Sequence, residues 1–177
     1  MSYLVVSSLA EMPTTVARHE ARDVLTLISA QTVVDRPVSI EEARHLFLGF
    51  DDIIEPMEGF IHPTVDHLDQ ILDFGKRWDR ERPLVVHCFA GISRSTAAAY
   101  ILAIAINPAL DEFELAQELR RRAPTATPNA LMIELADEKL GRSGRMVEAI
   151  RSIGRGDFAY AGTPFILPLE IDPSDRG

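Results

Sequence analysis

Short apolar runs, each bounded by polar residues or proline, are spaced along the first half of the chain. Their lengths of four to six residues are typical of buried strands rather than of helices. We therefore predict strands at residues 3–7, 24–29, 46–50 and 84–87.

Apolar positions at helical spacing separate these runs and fill the second half of the chain. The segment after residue 95 is alanine-rich and apolar nearly all round, which predicts a buried central helix. The predicted helices cover residues 13–20, 40–44, 64–78, 95–106, 111–122, 128–140 and 143–153. This arrangement predicts an α/β fold, with a central, mostly parallel sheet of four to five strands flanked by helices.

Residues 156–177 contain three prolines and several large apolar side chains, too many for a solvated linker. We expect an extended arm that packs either on its own domain or on a neighbouring subunit. The predicted organisation is one catalytic domain, residues 1–155, followed by this arm, which is not a separate domain. A homodimer formed through the arm is left open.

Composition excludes several classes of protein. The 177 residues include one cysteine, so an intrachain disulfide is impossible, and the sequence lacks the clustered Cys and His of a zinc site. The longest apolar run, residues 97–106, is too short to span a bilayer, and residues 1–9 lack the basic start of a signal peptide. We therefore expect a cytoplasmic protein with no cofactor, no metal ion and no membrane partner.

The net charge of −9 lies entirely within residues 1–75, and the rest of the chain is neutral. A nucleic-acid partner requires a basic surface, so none is predicted. The one basic run, Arg120-Arg121-Arg122, is interpreted as a solvated helix end. His19 and His45 are interpreted as surface or interface residues.

Residues 84–96 carry the strongest indication of chemistry, because a predicted strand runs directly into a glycine-containing loop and then into a helix. Amide N–H groups of such a loop converge without internal partners and, with the helix dipole, form an anion site. The residues concerned are Phe89, Ala90, Gly91, Ile92, Ser93 and Arg94. Cys88 opens the loop and Arg94 closes it, so both side chains can reach one tetrahedral oxyanion.

The side chains around this loop each have a chemical reason to be there. The Cys88 thiolate is a nucleophile that convergent amides and Arg94 would favour over the thiol. Arg94 can bind two phosphate oxygens with its planar fork, and Gly91 permits a positive φ or a close approach. Ser95 can donate a hydrogen bond to the sulfur, and His87 can orient the loop or tune the cysteine.

The motif His87-Cys88-x5-Arg94-Ser95 resembles the signature of the cysteine-based protein tyrosine phosphatases. The segment Pro124-Thr125-Ala126-Thr127-Pro128-Asn129 resembles the Arg…Pro-Asn segment of their compact dual-specificity branch. Strand order and length also fit that branch from residue 3 to residue 153. The resemblance implies a protein tyrosine phosphatase-like fold with Cys88 as the nucleophile and Arg94 and the loop amides as phosphate ligands.

The same family requires a general acid, an aspartate on a separate loop upstream of the nucleophile. Asp52 lies 36 positions before Cys88, directly after a predicted strand, and Asp51 precedes it. Alternation along residues 46–52 favours Asp52, and Asp51 remains the alternative. Glu55 and Glu58 are weaker candidates, and the Trp-Pro-Asp form of the receptor-type enzymes is absent.

The predicted function is hydrolysis of a phosphomonoester through a cysteinyl-phosphate intermediate. The substrate is phosphotyrosine, in a phosphorylated protein or a small aryl phosphate, with phosphoserine and phosphothreonine left open. The loop positions between Cys88 and Arg94 are uncharged, which argues against polyanionic substrates. One alternative is a rhodanese-type sulfurtransferase, which the five-residue spacing disfavours. The other is a catalytically weak phosphate-binding module, which the presence of Cys88, Arg94 and an upstream aspartate disfavours.

Overall fold

Five strands form one sheet in the computed structural model, which describes residues 2–171. The strand order is β3-β2-β4-β1-β5, with the first four strands parallel and β5 antiparallel at the edge. The strands are β1 (Tyr3–Ser7), β2 (Asp23–Ile28), β3 (His45–Gly49), β4 (Leu84–His87) and β5 (Phe165–Pro168). The prediction of a mostly parallel sheet of four to five strands is confirmed.

Helices connect and cover the strands, and their bounds agree with the predicted ones to within two residues in all cases but one. They are α1 (Met12–His19), α2 (Val65–Arg77), α3 (Arg94–Ile106), α4 (Glu112–Arg122), α5 (Ala130–Lys139) and α6 (Arg145–Ile153). The exception is the helix predicted at 40–44. It is a single 3₁₀ turn, Glu42–Arg44, because the chain enters β3 at His45.

The sheet is covered on both faces, as the continuous apolar strands require. Side chains such as Leu25 and Leu27 face the larger core, which α2 to α6 complete. Val24 and Val85 face the opposite side, where α1 contributes Met12. The result is a three-layer α/β domain with one helix on one face and five on the other.

Helix α3 lies at the centre of the larger core. Its side chains from Arg94 to Ile104 are all buried, as its alanine-rich sequence predicts. Because α3 starts immediately after the loop that follows β4, the N-terminal turn of this helix forms one side of the predicted anion site.

The C-terminal arm packs on its own domain through the residues that the structure describes. Strand β5 pairs with β1, and Asn107 Nδ2 donates to the Leu169 carbonyl at 2.9 Å. Residues 172–177 of the predicted arm lie outside the described residues. A dimer formed through the arm remains a prediction.

The basic run forms the end of α4, as predicted, with Arg121 and Arg122 exposed, but all three arginines also have partners within the chain. Arg120 donates to the carbonyl oxygens of four residues, and Arg121 and Arg122 both pair with the buried Glu118 carboxylate. The carbonyls are those of Ala123, Pro124, Ile153 and Gly154. Arg120 therefore joins the segment after α4 to the start of the arm.

Among residues 2–171, no helix is long and apolar enough to cross a membrane.

Candidate active site

The loop between β4 and α3, residues 88–93, passes close to the end of β1. Gly91 has a φ of +71°, and a Cβ atom built on it would lie 2.8 Å from the backbone of Ser7 and Ser8. Real side chains do not tolerate such a separation from backbone atoms. The positive φ and the close approach expected at Gly91 are both present, so this position requires glycine.

The carbonyl groups of this loop are bound by donors from other parts of the chain. Four pairs show this: Leu9 N–Phe89 O at 3.0 Å, Gly162 N–Ala90 O at 2.8 Å, Thr127 N–Ile92 O at 2.9 Å and Asn129 N–Ser93 O at 3.2 Å. Within a trans peptide unit the C=O and the next N–H point in opposite directions. Outward carbonyls therefore turn the following amide N–H groups towards the inside of the loop.

Cys88 places its sulfur inside the loop, where the side chain is almost fully buried. Gly91 N–H donates to Sγ at 3.2 Å, and Ser95 Oγ lies 3.1 Å from the same sulfur. Ser95 belongs to the first turn of α3. An amide, a hydroxyl and the N-terminal turn of a helix thus converge on the sulfur.

Arg94 closes the loop with a side chain that is also buried. Its Nη1 donates to the Phe50 carbonyl at 2.7 Å, which ties the loop to the segment that follows β3. Its Nε has no hydrogen-bond partner among the described residues. A buried guanidinium N–H without a partner is costly, so the arrangement suits an anionic ligand.

Asp52 lies beside the loop, as its sequence position suggested. Its Oδ1 accepts hydrogen bonds from Ser93 Oγ at 2.7 Å and from Asn129 Nδ2 at 2.9 Å. No described residue donates to Oδ2. One oxygen is therefore fixed against the loop, while the other remains available for proton transfer.

Asp51, the alternative, is engaged elsewhere. Ser29 Oγ donates to its Oδ1 at 2.5 Å, and Ile61 N–H donates to its Oδ2 at 2.8 Å. The Ser29 hydroxyl first, then the Ile61 amide and the charge of Arg94, lower the pKa of this carboxyl from its ordinary value. A carboxylate with both oxygens occupied and a lowered pKa is a poor proton donor at neutral pH.

His87 lies fully buried behind Cys88 and makes two polar contacts. Its Nδ1 is 3.1 Å from the Cys88 carbonyl oxygen, and its Nε2 is 2.7 Å from Thr26 Oγ1. Burial lowers its pKa to about 4, so the ring is neutral near pH 7. Since a carbonyl oxygen only accepts, Nδ1 carries the proton and Nε2 accepts from the Thr26 hydroxyl.

The polar chain continues to His45, which lies 2.8 Å from Thr26 Oγ1 through its Nε2. The Thr26 hydroxyl proton points to His87, so its oxygen accepts from His45 Nε2–H. Burial and the charge of Arg36 lower the pKa of His45. The interpretation of His45 as a surface or interface residue is therefore wrong, because the ring is half-buried and bonded beneath the loop.

Two residues of the site had no role assigned from the sequence. Asn129 holds Asp52 through its amide nitrogen and caps α5 through Oδ1, which accepts from Met132 N at 3.0 Å. The sequence feature that could have identified Asn129 is its place in the segment resembling the Pro-Asn motif. Thr26 orients His87, and the sequence feature that could have identified it is a polar residue in the middle of an apolar strand.

Among the described residues, no group of three or more His, Cys, Asp or Glu could hold a metal ion.

Comparisons with known proteins add solved structures only, since no family model and no curated protein matches the sequence. The Cydia pomonella PTP-2 phosphatase has a TM-score of 0.60 at 20% identity, over 76% of this chain and 83% of that one. Human DUSP28 has a TM-score of 0.59 at 17% identity, over 84% of this chain and 94% of that one. The DUSP15 structure has a TM-score of 0.60 at 17% identity, over 86% and 94% of the two chains.

The chain has the fold of the compact dual-specificity phosphatases. The fold class and the resemblance predicted from the sequence are thereby confirmed. At identities this low the dual-specificity phosphatase fold is what the likeness shows, so the activity must be argued from the chain's own residues.

Proposed function

We propose that the protein hydrolyses a phosphomonoester through a covalent cysteinyl-phosphate intermediate. The observation that carries this proposal is the position of Cys88 Sγ, which accepts from Gly91 N–H at 3.2 Å inside a loop with outward-bound carbonyls. A phosphoryl group placed over this sulfur would meet convergent amide N–H groups and Arg94. The phosphatase fold supports the same conclusion.

In the first step the Cys88 thiolate attacks phosphorus in line with the ester oxygen. The S–P bond forms as the P–O bond breaks, and the loop amides and Arg94 bind the three equatorial oxygens. The leaving oxygen takes a proton from Asp52, for which the unoccupied Oδ2 is the suitable donor. The products are the free alcohol or phenol and the phosphocysteine.

In the second step Asp52, now a carboxylate, accepts a proton from water as the water oxygen attacks phosphorus. The S–P bond breaks, inorganic phosphate leaves, and the thiolate is regenerated. Ser95 Oγ, 3.1 Å from the sulfur, stabilises the departing thiolate by donating a hydrogen bond. Asp52 thus gives up a proton in the first step and recovers one from water in the second.

The substrate class we propose is phosphotyrosine on a protein, with phosphoserine and phosphothreonine left open. Between Cys88 and Arg94 the loop carries no charged side chain, and the chain as a whole has a net charge of −9. Both features disfavour polyanionic substrates such as inositol polyphosphates. Phe89, which is 63% exposed, offers an apolar surface at the mouth of the loop.

The decisive experiment compares the wild type with Cys88→Ser on para-nitrophenyl phosphate. We expect the variant to lose turnover while still binding inorganic phosphate, and the wild type to yield phosphocysteine on rapid acid quench. Normal turnover by the serine variant would refute the assignment. Phosphopeptide binding without any turnover by the wild type would favour the binding module, and thiosulfate sulfurtransferase activity alone would favour the rhodanese-type enzyme.

A further inference from the structure

A groove of about 240 Å³ begins at the edge of the candidate active site. Asp52 and Ser93 line its inner end, and Thr125 and Thr127 line its floor. Its outer wall is formed by arm residues 155–159. A substrate whose phosphoryl group lies over Cys88 therefore has this groove as its immediate continuation.

The outer wall is fixed to the domain at two points. Gly156 N–H donates to Thr127 Oγ1 at 3.0 Å, and Asp157 N–H donates to the Pro124 carbonyl at 2.9 Å. A Cβ atom built on Gly156 would lie 2.4 Å from the Thr125 carbonyl carbon, so only glycine allows this contact. The wall is thus a built part of the site rather than a loose tail.

Arg155 is the cation among the residues lining this groove. Its side chain is exposed, and it makes no hydrogen bond or ion pair with any described residue. By contrast, Arg94 is buried and bonded to the Phe50 carbonyl. Arg155 is therefore available to a ligand, and its planar fork suits a carboxylate.

Exposed aromatic rings lie on this wall, at Phe158, and directly after it, at Tyr160. Phe158 is 83% exposed and Tyr160 is 91% exposed, and their rings pack edge to face with centroids 5.5 Å apart. Aromatic residues displayed beside a groove are typical of a surface that contacts another polypeptide.

We propose that this groove binds the polypeptide on one side of the phosphorylated residue, and that Arg155 selects an acidic side chain there. The inference deepens the proposed function, on which it rests. The occupant is the substrate chain itself, because the groove is continuous with Asp52 and Ser93. Asp157 lies on the same wall with the opposite charge, so the competing outcome is a preference for a basic side chain.

The test uses phosphotyrosine peptides that share one sequence. Each of the two positions before and the two positions after the phosphotyrosine is occupied in turn by Glu, Gln or Lys. At one of these positions we expect wild-type kcat/KM to be about fivefold higher with Glu than with Lys. Arg155→Glu should abolish or invert this ratio. Arg151→Glu is the matched control, since Arg151 is exposed, lies four residues away and does not line the groove; it should keep the ratio.

A wild type with no preference for Glu, or a preference that survives in Arg155→Glu, would overturn the proposal. A preference for Lys that Asp157→Asn removes would overturn it in favour of Asp157. Failure of the proposed function is distinguishable, because it appears as absent Cys88-dependent release of phosphate from para-nitrophenyl phosphate. In that case the affinities of the same peptides for the intact protein are measured by fluorescence anisotropy. The ratio of Kd between the Glu and Lys peptides then replaces the ratio of kcat/KM, and the same results support or overturn the proposal.

Discussion

The loop after β4 (residues 88–93), where we propose that phosphate binds, and the aspartate segment (residues 50–61) both follow a parallel strand at the same edge of the sheet, yet they are built differently. The loop buries Cys88 and Gly91, ends in α3, and has four carbonyls bound by distant parts of the chain. The aspartate segment exposes Ile54, Met57 and Phe60, and is closed mainly by Asp51 and Ile61. In the proposed mechanism, an anion site held by many backbone contacts is thus paired with a proton donor, Asp52, held by only two side-chain hydrogen bonds.

The largest expected effect comes from the loop side of this comparison. Arg94→Lys keeps the positive charge but loses the planar fork and the geometry that reaches both phosphate and the Phe50 carbonyl. We expect kcat/KM for para-nitrophenyl phosphate to fall by roughly 10³-fold. A fall below tenfold, measured in steady state on folded protein, would show that charge alone suffices.

On the aspartate side, the two neighbouring carboxyls should behave differently. Asp52→Asn should lower kcat for phosphotyrosine by roughly 10²-fold, because the proton donor of the proposed mechanism is lost. Asp51→Asn is the matched variant. It should disturb the bonds to Ser29 and Ile61 while keeping kcat within a few-fold of the wild type. The reverse result would reassign the general acid to Asp51.

Glycines in the two regions sharpen the contrast further. Gly91 and Gly59 both have positive φ, +71° and +82°, but only Gly91 has backbone atoms where a Cβ would lie. We expect Gly91→Ala to lower the free energy of unfolding by about 3 kcal/mol and to impair turnover. Gly59→Ala should cost about 1 kcal/mol. Urea unfolding measures both, and equal losses would contradict the structure.

The two regions should also respond to acid in different pH ranges. His87 has a pKa lowered to about 4, so it binds fewer protons than in the unfolded chain between pH 6.5 and 4. Its contribution to stability is therefore complete above about pH 6.5 and is lost as pH falls, by about 2 kcal/mol between pH 7 and pH 5. Asp51, with its lowered pKa, loses its contribution only below its ordinary value.

The variant that checks this pH range is His87→Asn, which should flatten the fall in unfolding free energy between pH 7 and pH 5. Asp51→Asn is the control, because its effect belongs to more acidic solution. An unchanged slope in His87→Asn would mean that another group titrates there.

The loop could be predicted from the sequence because its determinants are local. Strand, glycine-containing loop and helix follow one another between Leu84 and Ile106, and the chemistry of Cys88 and Arg94 depends on that order. The sheet was equally accessible, since each strand is a separate apolar run.

The surroundings of the loop could not be predicted, because they depend on contacts between residues far apart in the sequence. The role of His45 depends on a hydrogen bond to Thr26 on the neighbouring strand. The choice between Asp51 and Asp52 depends on hydrogen bonds from Ser29, Ile61 and Asn129. Nothing in the sequence marks the first two, and the Pro-Asn segment that marks Asn129 does not indicate which aspartate it binds. Likewise, nothing in the arginine run indicated that Arg120 would bind four carbonyls.

The hydrogen bond from Gly162 N–H to the Ala90 carbonyl has a consequence for how the protein is made. Gly162 follows every side chain to which we assign a catalytic role, and one of the four outward-bound carbonyls depends on it. A nascent chain therefore carries Cys88, Arg94 and Asp52 before it can complete the loop that brings them together. Activity should appear late in synthesis, when the arm has left the ribosome and β5 has paired with β1.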